Sequence, residues 1–139
     1  MTTAAVIAIV KSAVEENYQG PGEIVDLNTG GSIPQEATAY ITVTYPYAKE
    51  DQISVGAPGN NLYRVDGGFV VTLHVPRGEP LAEHMQSLDD LRAELRGKTF
   101  ADGMMRTYGI DPVFINDNSD NESYMELTFA VPYQYDLFG

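Results

Sequence analysis

Apolar positions recur along the chain in two periods, and each period marks its own element. Phe69, Val71, Leu73 and Val75 alternate with Val70, Thr72 and His74, the two-residue repeat of a strand with one buried face. Val70 leaves the other face partly apolar, so that strand is open to cover on both sides. Pro76-Arg77-Gly78-Glu79-Pro80 ends it, since proline donates nothing to a ladder and Pro80 suits the first turn of a helix. The helix that follows carries Leu81, Met85, Leu88, Leu91 and Leu95 at spacings of 4, 3, 3 and 4, an apolar stripe on one side. Glu79 and Glu83 at its start and Arg92, Arg96 and Lys98 at its end suit the helix dipole, and Gly97 supplies the stop. The stripe needs a sheet or another helix to cover it, and the preceding strand is the nearest partner.

The same reading extends to both ends of the chain. Val6, Ile9, Val10, Ala13, Val14 and Tyr18 share one face of a first helix, which Gly20-Pro21-Gly22 ends. Asp26 to Pro34 reads as loop. Ala37 to Tyr45 alternates as a strand, with Ala39, Ile41, Val43 and Tyr45 on one side. Pro46 to Asn61 is predicted as a long loop holding one short candidate strand, Gln52-Ile53-Ser54-Val55; loops of that length in small domains are commonly functional. Met104 to Ile115 is irregular, with Pro112 arguing against a central strand there. Val113-Phe114-Ile115 and Tyr124 to Tyr133 flank a polar turn, Asn116 to Glu122, and form a hairpin.

These elements predict an α+β fold in a single domain spanning residues 1–139: two helices packed on one mainly antiparallel (mixed) sheet. The expected inward set is Val6, Ile9, Val10, Ala13, Ile41, Val43, Phe69, Val71, Leu73, Leu81, Met85, Leu88, Leu95, Leu127, Phe129 and Val131. A chain of 139 residues is long enough for one substantial core.

Charge changes the picture more than composition does. Eight basic residues stand against twenty acidic ones, a net charge of −12, which argues against tight binding to nucleic acid by phosphate neutralisation. With no cysteine there is no disulfide scaffold or thiolate chemistry. No apolar run approaches a membrane span of roughly 20 residues, and no basic stretch precedes the first apolar residues as in a secretory signal.

Candidate chemistry is sparse. Asn116, Asn118, Asp120 and Glu122 alternate as calcium ligands do, but Asn121 stands where that loop needs glycine and Leu127 where it needs a bidentate glutamate. The expectation is a solvated turn without metal. His74 and His84 have no acidic partner fixed by spacing and read as structural. Asp89 and Asp90 point about 100° apart on a helix and do not converge. The glycine clusters at 20–22 and 56–59 lack the strand, helix and lysine of a phosphate loop. No catalytic group and no cofactor is therefore expected. Tyrosines in or beside strands are the better signal, because tyrosine is enriched at interfaces. Tyr40, Tyr124 and Tyr135, with Tyr47 and Ile53 of the Pro46–Asn61 segment, are the candidate interface residues, and that segment reads as a docking arm.

Four segments carry a family resemblance. Asn61-Leu62-Tyr63-Arg64 leads into Gly67-Gly68-Phe69-Val70-Val71; Val75-Pro76-Arg77-Gly78-Glu79 forms a corner; Leu95-Arg96-Gly97-Lys98-Thr99-Phe100 closes the helix; Val131-Pro132-Tyr133-Gln134-Tyr135-Asp136 closes the last strand. In this order, over about residues 52–136, the chain resembles the phage tail terminator-like family, with Met104 to Tyr124 departing from the pattern. The resemblance implies a structural virion protein and no enzyme. It further implies six copies in a ring on the head-proximal end of a siphophage-type tail tube. The partners it implies are the tail tube protein and the head–tail connector or stopper of the neck, in a phage or a gene transfer agent. DNA would pass through such a ring without specific binding. The seven acidic residues between Asp102 and Asp136 are candidates for the field facing the lumen or a partner. The alternatives are another neck or connector protein and, in a different class, a small-ligand-binding or enzymatic α/β domain.

Overall fold

The computed structural model describes residues 2–20, 23–24, 39–116 and 124–139. Helix α1 spans Thr2–Asn17 and buries Val6, Val10, Ala13 and Val14, with Tyr18 buried just beyond its end. Strands β1 (Glu23–Ile24), β2 (Tyr40–Gln52) and β3 (Leu62–Pro76) follow, then helix α2 (Leu81–Leu95). The chain closes with β4 (Thr99–Phe100), a 3-10 turn at Ala101–Gly103, β5 (Met105–Thr107), β6 (Phe114–Asn116) and β7 (Tyr124–Phe138).

The strands make one mixed sheet in the order β1-β2-β3-β7-β5-β4, with β6 also on β7. Only β1 runs parallel to its neighbour; the other pairings are antiparallel. Two helices on a mainly antiparallel sheet are thus the architecture, as the periodicities predict. β3 and β7 pair along their whole length, from Leu62 opposite Phe138 to Pro76 opposite Tyr124. Because the strand period is two, one register decides a whole face. Val65, Phe69, Val71, Leu73 and Val75 of β3 turn inward with Leu127, Phe129, Val131 and Tyr133 of β7, against Leu88, Leu91 and Leu95 of α2 and the stripe of α1. Ile9, Val43, Leu81 and Met85 of the expected inward set are partly buried against this core. Each fully buried Leu or Phe contributes roughly 1.5–3 kcal/mol by transfer from water.

Three expectations are corrected. β2 does not stop at Pro46 but runs on to Gln52, because its register shifts between Thr44 and Tyr47. A bulge is one of the few places in a ladder that tolerates proline. Ile53 to Val55 lie outside any strand, so the loop is only residues 53–61. β7 does not end at Tyr133 but at Phe138. Pro132 falls between the stretches of β7 that pair with β6 (126–128) and with β5 (133–135), where no ladder partner on that side is interrupted. Met104 to Ile115 is not irregular throughout, since it supplies β5. Thr107 of β5 is buried; its hydroxyl donates to the Leu95 carbonyl at the end of α2 and accepts from the Lys98 amide at 3.0 Å. The loop read at Asp26–Pro34, Pro21 and Gly22 of the helix stop, and the turn between Asn116 and Tyr124 lie outside the described residues.

Candidate functional site: the hairpin arm

The bulge of β2 creates the most distinctive surface. Before it, Ile41 and Val43 face the helices; after it, Tyr47 pairs with Gly68 and Ala48 with Gly67. One extra residue reverses the side-chain parity, so Tyr47 lies on the face away from the helices, although in the sequence it continues the series Ile41, Val43, Tyr45. Its ring packs over Gly68, where an added Cβ would sit 3.0 Å from the ring. On the opposite face the hydroxyl of buried Tyr133 packs over Gly67, at 2.6 Å from where a Cβ would stand. The two adjacent glycines therefore leave room for a tyrosine on each side of the sheet, a requirement for a missing side chain rather than for a flexible backbone.

Beyond the bulge, the second half of β2 and the turn to β3 stand exposed as an arm. Val55 is 84% exposed, Tyr47 60% and Ile53 49%. The turn is nonetheless built. Gly56 and Gly59 take positive φ (95° and 83°), conformations open to glycine. The Asn61 side chain accepts from the Ala57 amide at 3.0 Å, the Ser54 hydroxyl accepts from the Leu62 amide at 2.7 Å, and the Ile53 amide donates to the Leu62 carbonyl at 2.8 Å. Asn61 and Gly139 exchange both backbone hydrogen bonds, which fixes the tip to the end of β7 beside exposed Phe138.

Behind the arm, on the face away from the helices, Asp136 is clamped. Arg64 donates to its two oxygens at 2.8 and 3.3 Å, and Arg106 donates at 3.0 Å. Arg106 also donates to Gln134, which accepts from the Tyr108 hydroxyl at 2.6 Å. The Arg64 hydrogen bond, joined by that of Arg106, holds the Asp136 carboxyl below the usual carboxylate range. Asp136 is thus neutralised within the subunit, which corrects its place among the acidic residues expected to face a lumen or partner. Asp117, Asp120 and Glu122 of that set lie outside the described residues.

At the far end of the same face sits a ring cluster. Tyr40 stacks on His74 (centroids 4.2 Å apart, planes 9° apart) and meets Tyr124 edge-on at 5.2 Å. The Thr42 hydroxyl and His74 Nε2 are 3.1 Å apart, and His74 Nδ1 lies 3.8 Å from Glu126. Burial pushes the imidazole pKa down, against the opposing pull of Glu126, so the neutral ring is favoured. Burial, then Tyr124 and Glu126, pushes the Tyr40 phenol up. Hydroxyl, imidazole and carboxylate stand in the order of a nucleophilic relay. Thr42 is buried, however, and Tyr40 covers the imidazole, so the cluster works as packing. His84 is likewise buried, with Glu79 at 3.0 Å. Both histidines have the acidic neighbour that spacing did not reveal.

The five candidate interface residues therefore separate. Tyr47 and Ile53 both lie exposed on the arm, at its two ends. Tyr40, only 4% exposed, and Tyr124 share the ring cluster, and Tyr135 packs partly buried against the core. Sequence reasoning passed over Val55, Phe138, Phe114 and Ile115, all exposed. The signal for Val55 was its place just before the Gly56–Gly59 turn, and that for Phe138 was alternation continuing past Pro132. Among the described residues no group of three or more His, Cys, Asp or Glu stands as a metal site would require. No protein-family model and no curated protein matches the chain.

Proposed function

We propose that the protein is a structural component of a tail-like particle, a tail terminator whose copies form a ring on the head-proximal end of the tail tube. The observation that carries this reading is the arm. A hydrogen-bonded hairpin projects two aliphatic side chains and a tyrosine into solvent, and residues 53–61 hold no charge in a chain of net charge −12. A built, uncharged, apolar projection suits docking to other subunits, because preorganisation lowers the ordering cost of binding. The four resembling segments support the same reading, and the first of them opens β3, the strand on which the arm is laid. The connector or stopper of the neck is the partner on the other side. The acidic balance denies a passing duplex the counterion-release gain that would hold it.

The test is electron microscopy of purified protein mixed with tubes of the tail tube protein, across a salt series that screens subunit repulsion. A cyclic ring capping one tube end is expected, six-fold if the resemblance holds. A two-fold dimer under all conditions with bare tube ends would refute the reading.

A further inference from the structure

We propose that strand β2 of one copy of this chain pairs in parallel with β4 of the next, Glu50 meeting Lys98 across the joint. The inference rests on the proposed ring and names the contact that would close it. The ladder fixes the geometry. From β2 to β4 the sheet passes through β3, β7 and β5, and every step is antiparallel. β2 and β4 therefore run the same way at opposite ends of the sheet. Both are open among the described residues: β1 covers only Tyr40 and Ile41 of β2, and no strand lies beyond β4. Copies related by rotation about an axis along the strands bring β4 beside β2 as parallel neighbours. Such a contact is head-to-tail, the type that closes into a ring when the rotation fits.

The two free edges match in level, backbone and face. One row crosses the sheet through Lys49, Asp66, Gln134, Arg106 and Thr99, so both edges stand at one height. The Ile53 amide donates to the Leu62 carbonyl of β3; by alternation Glu50 points its N–H and C=O away from β3. The Lys98 carbonyl accepts from the Thr107 amide of β5, so Thr99 points its own groups outward. Adding a strand to such an edge is a recurrent mode of recognition. Glu50 stands opposite inward-facing Val65. Lys98 stands opposite buried Thr107, two positions before Phe100, which faces buried Met105. Both side chains thus lie on the helix side. A two-residue stagger keeps that parity and sets Glu50 beside Lys98; unstaggered, they are diagonal neighbours within reach of long side chains.

Charge singles out a second copy as the occupant. Copies of net charge −12 repel, so the attraction between them must use cations not already spent. Lys49 pairs with Asp51, Arg64 and Arg106 with Asp136, and Arg92 with Asp89. Lys11 and Arg77 are also engaged. Arg96 and Lys98 remain, exposed just before β4 and without a partner among the described residues. On the other edge Glu50 is exposed, and its neighbours Lys49 and Asp51 lie on the opposite face, 3.9 Å from each other.

Charge reversal tests the joint on the intact chain, by sedimentation and by imaging on tail tubes. Glu50→Lys lowers the net negative charge, so general repulsion alone predicts tighter self-association. The strand contact predicts weakening by at least about tenfold, because like charges then face each other across an interface. Lys98→Glu should weaken association as well, and the double variant should return to within about threefold of wild type. Glu94→Lys, on the exposed side of α2, controls for charge alone and should not weaken association. Single reversals without effect, or a double variant that fails to recover, would overturn the proposal, as would a wild-type chain that never self-associates. Rings that still cap tubes when both reversals are silent would keep the terminator reading and remove the strand contact. Weakening and rescue with bare tubes would do the opposite.

Discussion

The two halves of β2 share one ladder with β3 yet live in different environments. From Tyr40 to Tyr45 the strand lies under the helices, with Ile41 buried and Val43 packed on the core. From Pro46 to Gln52 every residue is exposed, although pairing with β3 continues to Gln52 opposite Tyr63. The difference is cover, not hydrogen bonding. An antiparallel ladder carries a strand beyond the core it came from when the next strand is itself anchored, and β3 is anchored to β7 throughout. The body is held by packing and the arm by its ladder, a division that leaves the arm free to change its surface without unsettling the core.

The largest effect should come from the body. Phe129→Ala, at a site 1% exposed, should cost about 3–5 kcal/mol in denaturant titration. A cost near that of a surface change would mean that the helix-covered half is not the source of stability. Next comes the junction. Gly67→Ala would push a methyl into the Tyr133 hydroxyl and the Tyr47 carbonyl, costing about 1–3 kcal/mol. A neutral result would show that the close approach of the tyrosine is not required.

A smaller effect separates the halves by pH. Burial lowers the His74 pKa from its ordinary 6.5, so the unfolded chain takes up that proton first. Its contribution is whole above about pH 6.5 and is lost as pH falls through the folded value. Wild type should therefore lose more stability than His74→Gln between about pH 7 and pH 5, the difference isolating His74 from the relief of self-repulsion in acid. Parallel curves would contradict the buried, neutral imidazole. The smallest effect belongs to the tip. Deleting Gly56–Asn60 should change unfolding free energy by no more than about 0.5 kcal/mol, measured on the dissociated chain, while weakening capture by tail tubes. A large loss would make the arm part of the body.

Periodicity alone determined the two helices, the three main strands and nearly all of the inward set, because a face buried against one core must repeat at 3.6 or 2 residues. Composition determined the acidic balance, and the prolines the corner from Pro76 to Pro80. Tertiary structure decided the rest. Pro46 read as the end of a strand, yet the bulge accommodates it, and Pro132 sits in the gap between β6 and β5 on a strand that runs five residues past Tyr133; neither bulge nor gap exists in the local sequence. The bulge also moved Tyr47 to the other face, a one-residue shift that no alternation count detects. Tyr40 looked like a surface tyrosine until His74, 34 positions away, lay beside it in the sheet and Tyr124 met its edge. The partners of Asp136, His74 and Glu79 come from strand register and helix placement, which bring together residues whose spacing carries no sign of the contact.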